Sequence, residues 1–134
     1  MAFTRYVAIL VCCAQFACQT NKYYEIDENH LPQAELSEMV SKDIVNAVKA
    51  NFHPSKQRVL FPHHNERVAL MVESKLRKAG FAFYRELDDF ESGDLRIGYK
   101  LDSIDKQIII LRFVVNDSFQ INRLYRLERD GTYT

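Results

Sequence analysis

The chain has 134 residues, 47% hydrophobic and 27% charged, with 18 basic residues balanced by 18 acidic ones. That length holds one small domain and a leader, and the composition suits an ordinary globular core. Zero net charge offers no basic excess to a nucleic-acid partner, and the four glycines are too scattered to cradle a phosphate.

All three cysteines, Cys12, Cys13 and Cys18, fall in the first 18 residues, so the remaining chain has no thiol for a disulfide, a metal or a nucleophile. Residues 1–18 place Arg5 before an apolar run from Tyr6 to Ala14. This is the order of a secretory signal, and the run is short for a membrane span; a buried N-terminal helix or strand is the alternative. Ala17, a small residue directly before Cys18, makes Cys18 the expected lipid-attachment site, although Gln15 and Phe16 depart from the usual lipoprotein pattern. Residues 19–33 are polar and lack periodicity, as in a tether, with Tyr23, Tyr24 and Ile26 as its sizeable apolar groups. Such groups in a solvated tail either order on a partner or pack back on the domain.

Residues 34–134 form the expected domain. Leu36, Val40, Ile44, Val48 and Phe52 recur every four residues and predict an amphipathic helix over 34–52, with Glu35, Glu38, Lys42, Asp43 and Lys49 outward. Asn51 closes it and Pro54 prevents its return. A short strand at 57–61 follows. The second helix spans 66–79, with Asn65 as N-cap and Val68, Met71, Val72, Leu76 and the stem of Lys75 inward; Gly80 is its stop. Residues 81–87 read as another strand.

The last third alternates at period two. Ile97, Tyr99 and Leu101 share one strand face, and Phe119, Ile121 and Tyr125 share another. Between them, Ile108 to Val115 is almost wholly apolar and reads as a central strand covered on both faces. The turns at 102–106 and 116–118 are short, which forces an antiparallel three-stranded meander. The predicted architecture is α+β, with two helices packed on a small antiparallel or mixed sheet.

Few residues suggest chemistry. Adjacent His63 and His64 would point to opposite strand faces, a poor chelate without a third ligand. Asp88, Asp89, Glu91 and Asp94 lack the spacing of a helix-flanked calcium loop. No nucleophile elbow or Ser/His/Asp arrangement stands out. Arg112, inside the apolar run, needs a salt-bridge partner or an exposed rim. Arg123, Leu124, Tyr125 and Arg126 put two cations on opposite strand faces, which suits a rim or interface.

A leader ending in Cys18, the polar tether, the helix ending LRKAGF, the strand IGYKLD and the strand ending INRLYR together resemble the TrbH family of conjugal-transfer lipoproteins. The matching positions are Gly80 with Phe81, Tyr99 with Asp102, and Arg123 with Tyr125. The resemblance covers the leader and roughly the last half of the chain; the family's usual Pro-rich linker is missing. It implies a domain similar to the small α+β domains at the periplasmic end of secretins, as in DotD-like lipoproteins. It also implies a non-catalytic lipoprotein without a cofactor, held by its lipid on the periplasmic face of the outer membrane. Its partners would be neighbouring subunits in the outer-membrane core of a type IV secretion or conjugation apparatus, docked through Tyr23, Tyr24, Ile26, Arg123, Tyr125 and Arg126. The rival readings are a stand-alone periplasmic binding or inhibitor lipoprotein of the immunity type, and a small hydrolase using the turn at His63 and His64.

Overall fold

A computed structural model describes residues 26–27, 34–61, 66–85, 91–117 and 119–134; for 26–27 and 119 it describes the backbone alone. The expected leader, the tether residues Tyr23 and Tyr24, the His63–His64 turn, and Asp88 and Asp89 lie outside the described residues. The elements are β1 (Ile26–Asp27), α1 (Ala34–Asn51), β2 (Val59–Leu60), α2 (Arg67–Lys78), β3 (Phe83–Tyr84), β4 (Leu95–Ser103), β5 (Ile108–Val115) and β6 (Phe119–Arg126). The sheet runs β3-β2-β4-β5-β6, with β1 beside β4. β2 is parallel to β3 and β4, and a helix between β2 and β3 brings the chain back to the same end of the sheet. β4, β5 and β6 form the antiparallel meander. The fold class is therefore α+β, two helices with a mixed sheet.

Period-two alternation sorts the side chains of the meander. Ile97, Tyr99 and Leu101 pair with Val115, Phe113 and Leu111, and all six are buried. Ile109 and Phe113 pair onward with Tyr125 and Ile121. This odd-numbered face joins the helices in one core. The opposite face corrects an expectation. Arg112 is exposed in the middle of β5, and Leu124, paired with Ile110, is 60% exposed. β5 is central in hydrogen bonding, yet its even-numbered face is open at Arg112 and half-open at Ile108 and Ile110, with Val114 alone buried there at 6%.

Both hairpins are fixed by short polar side chains. Asn116 and Asp117 adopt φ of 51° and 58°, a region these two residue types tolerate. Asn116 Oδ1 accepts from Arg96 N at 2.7 Å, and its Nδ2 donates to Asp94 O at 3.0 Å, pinning the hairpin to the start of β4. In the other turn, Asp105 Oδ1 accepts the backbone N–H groups of Gln107 and Ile108.

α1 buries Leu36, Val40, Ile44 and Val48 as its spacing predicts, and Asn51 Nδ2 closes it on Ala47 O at 2.8 Å. α2 buries Val68, Ala69, Val72, Glu73 and Leu76. Met71 and Lys75, expected inward, are half-buried flanks. The N-cap of α2 is Glu66, without a side-chain cap bond, in place of the expected Asn65. Its end follows expectation. Gly80 adopts φ +97°, its N–H reaches Arg77 O at 3.0 Å, and Phe81 N–H reaches Leu76 O at 3.1 Å. This pair of bonds satisfies two terminal carbonyls, and glycine supplies the left-handed backbone they need.

Candidate docking site

Two helices about 10 Å apart cover roughly four strands spaced about 4.8 Å. The sheet path has five, so one flank of β6 is left beside α1. There a groove of about 220 Å³ opens, floored by Ile44, Ala47, Leu111, Phe113 and Ile121, with Asp43, Asn46 and Arg123 at its rim.

Asp43 clasps one end of this groove. Its Oδ2 accepts from the Tyr125 hydroxyl at 2.7 Å, and its Oδ1 meets Arg123 Nη1 at 2.8 Å. Arg123 and Tyr125 are two residues apart, so they share the inner face of β6 and can hold one carboxylate together. Burial, then the neighbouring Asp43 carboxylate, push the Tyr125 hydroxyl well above its ordinary pKa, so it stays a donor. The ion pair is half-exposed, with Arg123 at 55%, and contributes at most about 1 kcal/mol. Its role is to set where β6 lies against α1.

The expected docking residues are thus separated. Tyr125 is 2% exposed and bonded inward, which removes its side chain from any partner surface. Arg123 stands at the groove rim, and Arg126 is exposed on the opposite face. β1 sets the backbone of Ile26 and Asp27 parallel to Tyr99 and Lys100 of the same chain. The helical period alone places Asp43 on the solvent face of α1, whereas it is half-buried against β6. A helix flank differs from an outer face by one residue step, and no local signal reports which strand lies beside it.

β6 also has an unpaired side. The C-terminal turn folds back so that Arg126 N donates to Thr134 O at 2.8 Å and Thr134 N to Arg126 O at 2.9 Å. Alternation then turns the backbone N–H and C=O groups of Leu124, Asn122 and Gln120 outward as well, and no other described strand pairs with them. An open antiparallel edge and an apolar groove therefore adjoin. Together they can take an extended segment, main chain on the edge and alternate side chains in the groove.

Of the acidic residues considered for calcium, Asp94 is already engaged by Arg58 and by Glu91 N–H. Among the described residues, no three His, Cys, Asp or Glu side chains cluster closely enough to hold a metal. No described helix is long and apolar enough to cross a membrane. Compared with protein-family models, characterised proteins and solved structures, the chain matches none.

Proposed function

We propose that this chain is a structural lipoprotein in the outer-membrane core of a bacterial type IV secretion or conjugation apparatus. Cys18 carries the lipid on the periplasmic side of the outer membrane, and the domain docks on neighbouring envelope subunits without catalysing a reaction. The open β6 edge beside an apolar groove carries this reading, because it is a ready acceptor for a strand from a neighbour. The leader order and the resemblance to conjugal-transfer lipoproteins support the compartment. Tyr23 and Tyr24 remain the proposed contacts of the tether, tyrosine being frequent at interface hot spots.

The edge can be blocked with little harm to the fold. A proline is tolerated on an edge strand where its missing N–H would face outward. Asn122→Pro is therefore expected to leave the unfolding transition nearly unchanged and to release the protein from the detergent-extracted assembly. Wild type should co-purify with secretion subunits identified by mass spectrometry. Assembly of the variant at wild-type stoichiometry would remove the edge from the interface. A wild-type protein that runs alone, or grips one soluble partner, would favour the inhibitor reading.

The anchor is tested separately. Fatty-acid labelling of cells should mark wild type and not Cys18→Ser, since acyl chains contribute roughly 0.8 kcal/mol of anchoring per buried methylene. Equal labelling of both would sink Cys18 as the attachment site.

A further inference from the structure

The outer face of the meander is unlike the docking edge. Its even-numbered positions carry Arg96, Lys100, Arg112 and Arg126 against Asp102, and β1 adds Asp27 at the register position of Lys100, four cations to two carboxylates. Lys100 and Arg112 stand directly opposite each other across β4 and β5. Like charges so placed destabilise a sheet, and Asp102, at 3.4 Å from Lys100, offsets part of that repulsion. Asp105, in the adjoining turn, accepts two backbone N–H groups at Oδ1, and the neighbouring Lys106 balances its charge. Beside the cations lie aliphatic groups that a solvated face does not need. Leu124 is 60% exposed, Ile104 at the hairpin tip is 61% exposed, and Ile108 and Ile110 are half-buried.

We propose that this face is a peripheral membrane-binding surface that rests on anionic lipid headgroups. The cations attract the headgroup layer, and Ile104, Leu124 and Ile110 enter the boundary beneath it. A headgroup phosphate between Lys100 and Arg112 relieves their mutual repulsion. Two alternatives fit less well. A second copy docked face to face would oppose two net-positive surfaces. An acidic protein partner would call for the aromatic anchors of interface hot spots, and the twelve even-numbered positions of β4, β5 and β6 include no aromatic residue. The surface acts without the lipid on Cys18, so its test is independent of the anchor and of the β6 edge.

The test uses the full chain with Cys12, Cys13 and Cys18 replaced by serine, sedimented with vesicles. One set is phosphatidylcholine alone and the other contains phosphatidylglycerol. The leader, with Arg5 and the terminal amine, is the same in every variant, so the loss of preference from wild type to variant reports the charged face. Each basic residue at an anionic surface raises partition about fivefold, and the gain is screened as salt rises. Wild type should prefer the phosphatidylglycerol vesicles. Arg112→Glu combined with Arg126→Glu should lower that preference about thirtyfold or more. Leu124→Ser should weaken binding to both sets by the insertion lost. Circular dichroism checks that these exposed substitutions leave the fold intact. Equal binding of wild type to the two vesicle sets would overturn the proposal, as would undiminished preference in the double variant. Binding to polyglutamate in place of vesicles would overturn it in favour of an acidic protein partner.

Discussion

Leu111→Ala is expected to lower the stability of the protein by about 2–5 kcal/mol. Leu111 is 1% exposed in the middle of β5, paired with Leu101 on one side and Arg123 on the other. Its face also carries Ile109 and Phe113, and Ile44 of α1 lies against the same groove. Truncation removes buried methyl groups and leaves space that the surrounding strands, held by two ladders, close only in part. The space opens toward the groove, which eases relaxation, so a loss in the lower half of that range is expected. A small domain has a total stability of about 5–15 kcal/mol, which makes the shift plain in urea-induced unfolding of the full chain. Ile110→Ala, on the open face of the same strand, should cost much less. An unchanged midpoint for Leu111→Ala would contradict the burial of the odd-numbered face.

Asp94→Ala is expected to cost about 1.5–3 kcal/mol, the range for hydrogen bonds to a charged group. β2 pairs with β4 over two residues alone, at Val59 with Leu95 and Leu60 with Arg96. Asp94 locks that short seam. Its carboxylate takes Arg58 Nη2 at 2.6 Å, Arg58 Nε at 3.2 Å and Glu91 N at 2.8 Å. Arg58 in turn stacks over the Tyr84 ring at 4.6 Å on β3. Burial first, then the nearby Asp94 charge, push Tyr84 up to about 12; no bond of good geometry reaches its hydroxyl among the described residues. Removing Asp94 takes away the close, two-point partner of Arg58, leaves the exposed Glu91 carboxylate at 3.6 Å as a weaker one, and loosens the β2–β4 seam.

The same group gives an acid dependence. The Arg58 hydrogen bond, working against burial, lowers Asp94 from its usual 3.8 to about 2. Above the ordinary carboxylate value Asp94 is charged in both folded and unfolded chains, and its contribution is complete. That contribution fades as pH falls from about 4 to about 2, where the folded carboxyl also takes a proton. Arg58 is 37% exposed, so solvent screening reduces the gain to on the order of 1 kcal/mol. Wild type should lose this stability across that window, and Asp94→Ala should show a flatter acid limb. Identical acid limbs would refute the pairing.

Much of this protein was determined by its sequence alone. The four-residue recurrence from Leu36 to Val48 dictates α1 and its inward face, because helical geometry brings those positions onto one stripe. Gly80 dictates the end of α2, since the bonds that close it require a left-handed residue. Alternation in β4 and β6, with turns too short for a crossover, dictates the antiparallel meander. Tertiary structure alone decided the rest. The strand order β3-β2-β4, the parallel seam locked by Asp94 and the return of Ile26 and Asp27 to β4 join residues far apart in sequence, which no local period records. The run from Ile108 to Val115 looks doubly buried because aliphatic residues occupy both faces, yet coverage depends on how many helices the chain supplies. Two helices cannot cover five strands on both sides. That shortfall leaves Arg112 in solvent, opens the groove beside β6 and turns Asp43 from a presumed surface charge into the clasp for Arg123 and Tyr125.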